Sequence, residues 1–185
     1  MEALKISERY TYADYEKWDD DVRCELIDGV VFAMAAPTVR HQRVNGEIFV
    51  QLKNFLRGKA CEVFISPFDV RLNYNEADDV VVQPDILVIC DKSKIENGKH
   101  CCGAPDFVVE VLSPSNSEHD TMVKLGKYLK AGVREYWIVD PENKIVAAHR
   151  LLDKQYTTVA YDAQDTAPVM VLEGCSINLS EVFEE

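Results

Sequence analysis

Two stretches constrain this chain most: VVVQPDILVIC, Val80 to Cys90, and FVVEVL, Phe107 to Leu112. Both are almost wholly apolar and rich in β-branched residues, the pattern of central strands buried on both faces. Strands of that kind need helices to cover them, and two amphipathic segments are available. From about Arg40 to Arg57, residues Val44, Ile48, Leu52, Phe55 and Leu56 recur at helical spacing. From about Glu118 to Ala131, Met122, Leu125 and Leu129 define a second stripe with Tyr128 at its edge. Gly58 and Gly132 close the two helices.

The rest of the chain supplies shorter elements. YTYADYEKW reads as a short helix with a Thr11 to Asp14 capping-box-like start, and CELIDGVVFAMA as two strands around a turn at Asp28-Gly29. CEVFIS, PFDVRL and EYWIVD read as strands, NYNEADD as a turn, and the tail from Lys144 as shorter strands with a turn near Asp153. No repeat or linker divides the chain, so residues 1–185 are read as a single domain. The element order predicts an α/β fold with a mixed central β-sheet flanked by helices.

Charge narrows the function. With 20 basic and 32 acidic residues the net charge is -12 and the pI about 4.8, which excludes a protein that coats nucleic acid by electrostatics alone. A nucleic-acid function would need a local basic patch or a metal ion. No apolar run approaches the roughly 20 residues of a membrane span, and the opening residues lack a signal-peptide core, so the expected location is cytoplasmic with no membrane partner. The six cysteines, with no CxxC spacing, are expected to be buried or loop thiols rather than disulfides or zinc ligands. Adjacent His100, Cys101 and Cys102 are a poor soft-metal site, because neighbours in sequence rarely point at one ion.

Asp85 and Glu110 stand where carboxylates should not, inside the two apolar runs. A buried ionised group must be paired, ligate a metal or shift its pKa. If the two strands are neighbours, about 4.8 Å apart, their side chains converge on one hard cation. The competing reading is a buried salt bridge to an arginine. Pro84 breaks the ladder and suggests a bulge or strand end that re-aims Asp85. On the second helix Lys124 lies one turn before Tyr128 and one turn after Asp120, between the buried stripe and the far side that carries Lys127 and Lys130. Its amine can reach toward the sheet, or pair with Asp120 at the surface.

Pro84-Asp85 followed by Glu110 in the next core strand resembles the PD-(D/E)XK nuclease superfamily. ELIDG, the helix opening at His41, QPDI, VVEVLSPS, the Asp120, Lys124, Tyr128 spacing and AGVREYWIVDP look like one branch, the Uma2 family, whose members are classed with restriction endonucleases. The resemblance implies a restriction-endonuclease-like core. It also implies Asp85, Glu110 and the carbonyl of Val111 as ligands of Mg2+ (or Mn2+), and an endonuclease that hydrolyses phosphodiester bonds in DNA; cutting both strands of a duplex uses paired sites, so a homodimer is expected. One departure matters: Leu112 stands at the usual lysine position, which points to Lys124 as the migrated amine. The alternatives are a catalytically inactive binding or assembly module on the same fold, and a metal-dependent phosphoesterase acting on nucleotides or RNA.

Supporting candidates follow. His41 lies on the apolar stripe of the first helix, where a core histidine and a site residue are both reasonable. Glu47 flanks that stripe, Glu25 begins an apolar strand, Gln83 shares Asp85's strand face, and Tyr128 completes the family spacing. Asp28 reads as a turn former. Ser113, Ser115 and Asn116 either contact phosphate or simply turn the chain.

Overall fold

The computed structural model describes residues 8–18, 23–113 and 118–184, with the side chains of residues 118–120 outside the description. Ser115, Asn116 and any Asp120 pairing therefore lie outside the described residues. In chain order the elements are α1 (Tyr12–Tyr15), β1 (Cys24–Ile27), β2 (Val30–Ala33), α2 (Val39–Leu56), β3 (Glu62–Ile65), β4 (Asp69–Arg71), β5 (Val81–Val82) and β6 (Ile86–Ile89). There follow β7 (Ile95–Glu96), β8 (His100–Cys102), β9 (Phe107–Val111), α3 (Glu118–Ala131), β10 (Glu135–Asp140), β11 (Ile145–Leu152), β12 (Gln155–Asp162), β13 (Thr166–Pro168), β14 (Ser176–Asn178) and α4 (Leu179–Val182).

The fold is mixed α/β. One six-stranded sheet runs β12-β11-β10-β9-β6-β3, with β9 and β10 parallel and the other pairs antiparallel. A second runs β2-β1-β5-β4-β8-β7, and β13 pairs with β14 separately. Side chains alternate across the central strands as a period of two requires. Ile86, Val88, Val109 and Val111 join the α2 stripe of Val44, Ile48, Leu52 and Leu56 in one core. Leu87, Ile89 and Val108 join Tyr128 and Tyr136 with Val70 and Val82 of the second sheet in another.

Four sequence readings need correction. VVVQPDILVIC is not one strand: β5 belongs to the second sheet and β6 to the first, and Gln83-Pro84-Asp85 crosses between them. Pro84, which cannot donate to a ladder, sits where no ladder continues. Met122 does not define the buried stripe of α3, being 64% exposed, whereas Tyr128 is fully buried; the helix is turned so that Tyr128, not the methionine, meets the sheet. The tail strands β11 and β12 are the longest, eight residues each, joined by a turn at Asp153 and Lys154, both at positive φ. Finally, Cys61 and Cys90, in the positions flanking the paired β3 and β6, are joined as a disulfide, while Cys24, Cys101, Cys102 and Cys175 are buried free thiols.

Candidate active site

The crossing between sheets builds the site. In the antiparallel β6–β9 pair Ile86 faces Val109, so Asp85, one residue before β6, comes beside Glu110 of β9. The Val111 amide donates to Asp85 Oδ2 at 2.8 Å, and His41 Nε2 lies 3.1 Å from the same oxygen. Glu110 Oε1 accepts from Tyr128 Oη at 2.7 Å and from Lys124 Nζ at 3.0 Å. Neither bond uses Glu110 Oε2, and neither of Asp85's uses Oδ1. Each acid is thus anchored through one oxygen while its other oxygen takes no part in these bonds.

Lys124 faces inward, on the same side of α3 as Tyr128 one turn later. Its amine bridges Glu110 and Glu25, lying 2.8 Å from Glu25 Oε1. The Gln83 amide, just past the end of β5, donates to that same Glu25 oxygen at 2.9 Å, so Glu25 satisfies a buried backbone donor as well as the amine. Burial alone would strip the charge from Lys124, but Glu110 and Glu25 outweigh it and hold the amine above its ordinary range. Burial pushes the Glu110 carboxyl up to about 7; Lys124 opposes this, Asp85 and Glu25 add to it, and the Tyr128 hydrogen bond opposes it. Burial also works against a charged His41, but Asp85 and Glu110 overcome it and the ring's pKa is raised. Burial raises Tyr128 far above the ordinary phenol range, so it stays a neutral donor.

These residues line an open cleft of about 260 Å³, shared by Glu25, His41, Asp85, Glu110, Val111, Ser113 and Lys124. Its lip is apolar, with Phe32, Met34 and Ile65, and its polar wall adds Arg23, Gln42, Asn45 and Ser66. The structure brings Asp85, Glu110, Lys124, His41 and Glu25 together. Tyr128 lies beneath Glu110, closed off from solvent. Gln83 is consumed by structure: its Oε1 accepts from Arg23, and its Nε2 donates to Asp69 and Tyr15, which holds Arg23 at the cleft wall. Glu47 is absent from the cleft lining and accepts a hydrogen bond from Gln51, whose amide also bonds Asn178. Asp28 forms its turn at φ 52 and pairs with Lys127.

Arg23, Gln42, Ser66 and above all Asn45 were not singled out by sequence. Asn45 gave a signal: it lies four residues after His41 and three before Ile48, an amide on the apolar stripe. It is buried, and among the described residues its Oδ1 has no hydrogen-bond partner; His41 Nδ1, in the same wall, has none among them either.

The donor set suits a hard divalent cation: one carboxylate at the entry to β6 and one on its neighbour β9, each with an oxygen outside the anchoring bonds, beside the Val111 backbone. A second cluster fits less well. Glu96, His100 and Cys102 place ligand atoms within 4.8 Å of one another, but Arg71 Nη1 already lies 3.1 Å from His100 Nε2 and 3.4 Å from Glu96 Oε2. A guanidinium fills the place of a cation there. Cys101, one residue along β8, packs into the core with Val70 and Leu87 instead.

The fold and the cleft together define a restriction-endonuclease-like protein. Its structure superposes on a crystal structure described as "a putative nuclease belonging to DUF820" from Anabaena variabilis ATCC 29413, with a TM-score of 0.77 and 21% identity, covering 94% of this chain and 97% of that one. The Uma2 family model, described as "Putative restriction endonuclease", matches residues 12–180. This chain belongs to the Uma2 family. No curated protein matches its sequence.

Proposed function

We propose that the chain is a divalent-metal-dependent endonuclease that hydrolyses phosphodiester bonds in DNA. The observation that carries the reading is that Asp85, one residue before β6, and Glu110, on the neighbouring strand β9, line one open cleft, with the Lys124 amine 3.0 Å from Glu110. Asp85, Glu110 and the Val111 carbonyl would hold Mg2+ or Mn2+. When bound, the cation supplies acidity to a water molecule and neutralises charge growing on the scissile phosphate.

The protein's own groups supply the rest. Lys124, held charged by Glu25 and Glu110, presents a fixed ammonium for a phosphate oxygen or the attacking water. Tyr128, as a neutral donor, pins the Glu110 carboxylate, and the Val111 amide and His41 pin that of Asp85. Arg23, held by Gln83 and Ser66, places one more positive charge on the wall, and the apolar lip of Phe32, Met34 and Ile65 fits the face of a base. Cutting both strands of a duplex would pair two such sites in a homodimer.

The test is incubation of plasmid and single-stranded DNA with Mg2+ or Mn2+. Cleavage by the wild type and its loss in Asp85→Ala are expected; no cleavage with either ion contradicts the reading. One observation favours the second reading, a non-catalytic module: Lys124 is already paired with both Glu25 and Glu110. Calorimetric titration separates the two, since the module needs no cation at Asp85 and Glu110.

A further inference from the structure

On the nuclease reading just proposed, the build of the cleft mouth decides which form of DNA reaches the floor. Phe32 of β2 is directly opposite Glu25 of β1 in the antiparallel register, so the two side chains are neighbours on one face of the hairpin. Both line the cleft, and the Lys124 amine donates to Glu25 at 2.8 Å. An aromatic ring thus stands one strand away from the carboxylate that holds the amine. The acids are recessed behind it: Glu25 and Glu110 are 5% and 7% exposed, whereas Phe32 is 41% exposed and Ile65, at the end of β3, 38%. β2 is an edge strand, and among the described residues no strand pairs with its outer side.

The rim offers no cation to a second phosphate. Phe32, Met34, Ala35, Pro37 and Ile65 are uncharged. The arginine and lysine of the lining are already engaged, Arg23 with Gln83 and Ser66 and Lys124 with its two carboxylates. A duplex is stiff over about 150 base pairs and carries one charge per about 1.7 Å of its axis. Lowering one of its phosphates to Glu110 would press the neighbouring phosphates onto the apolar rim, where they lose water and gain no counter-charge. A single strand bends at each nucleotide and can lay the flat face of a base there instead. We propose that the cleft takes its substrate as an unpaired strand, with the base beside the scissile phosphate stacked on Phe32, so that the protein selects single-stranded over duplex DNA.

The test uses the full-length protein with Mn2+ and three fluorophore-labelled substrates: an oligonucleotide, its annealed duplex, and that duplex with a central unpaired loop. The single strand and the loop should be cut with a kcat/KM at least about tenfold above that of the duplex, since neither has to be unpaired first. Phe32→Ala should lower kcat/KM on the single strand about tenfold, mainly through KM, and Phe32→Trp should retain it. A duplex cut as fast as the strand, or single-strand cleavage untouched by Phe32→Ala, overturns this proposal and leaves the nuclease reading standing. So does a wild-type dimer that Phe32→Ala splits into monomers in sedimentation, because a second copy then covers the ring. No cleavage of any of the three substrates with Mn2+ or Mg2+ overturns both.

Discussion

Glu110 and Glu135 are both acids inside apolar strands, and they do different things. Glu135 is completely buried, with its carboxylate taken up by Trp137 Nε1, Arg150 and the Val171 amide. That is a structural charge. Glu110 instead meets an amine and a phenol through one oxygen and borders a cleft. Lys124 is what makes two acids tolerable there, so Lys124→Met should cost about 3–5 kcal/mol by leaving Glu25 and Glu110 facing each other uncompensated. Adding Glu25→Gln should recover part of that loss, and urea unfolding measures both. Glu110 also gives the metal-free protein a pH dependence. A carboxyl raised to about 7 in the fold from about 4.5 lends stability that is complete below the lower value and lost as pH rises through the upper one. Wild-type stability in EDTA should therefore fall between about pH 5 and about pH 8, by up to about 3 kcal/mol, and Glu110→Gln should flatten that fall.

Among the elements, α2 does most to position the site, because one stripe carries both core and cleft residues. Ile48 and Leu52 are fully buried against the central sheet, and His41 and Asn45 continue the same face to the cleft. Leu52→Ala should cost about 2–5 kcal/mol in urea unfolding while leaving the m-value unchanged. The β1–β2 hairpin is the second positioning element. Gly29, at φ +76, has Arg9 Cβ only 2.9 Å from where a Cβ would stand, so Gly29→Ala should destabilise by more than about 1 kcal/mol, visible as a lower melting temperature. The helices, the hairpin turn and the two acids were legible because each rests on local periodicity or on a charge in the wrong place. Three things were not. The sheet change at Gln83-Pro84-Asp85 depends on partners distant in sequence. The facing of α3 depends on Tyr128 finding Glu110, which a hydropathy stripe led by Met122 does not encode. The Cys61–Cys90 bond depends on β3 and β6 being neighbours.

At the scale of the whole molecule, the net charge of -12 sets how nucleic acid can be approached. With Lys124 already paired to two carboxylates and Arg23 on the wall, the cleft has few cations to offer a phosphate backbone. DNA binding should therefore depend on a divalent cation. In fluorescence anisotropy with a short duplex, affinity should fall at least about tenfold when Ca2+, a non-hydrolytic stand-in, is replaced by EDTA. The salt dependence should correspond to fewer than about three released counterions. Among the described residues no helix is long and apolar enough to cross a membrane.

The most direct measurement is a crystal structure from crystals soaked in Mn2+, with anomalous scattering recorded at the manganese edge. The account requires an anomalous peak within bonding distance, about 2.0–2.3 Å, of a carboxylate oxygen of Asp85 and one of Glu110. A map with no peak between those two residues, and with Lys124 still bridging Glu25 and Glu110 at saturating ion, would contradict it.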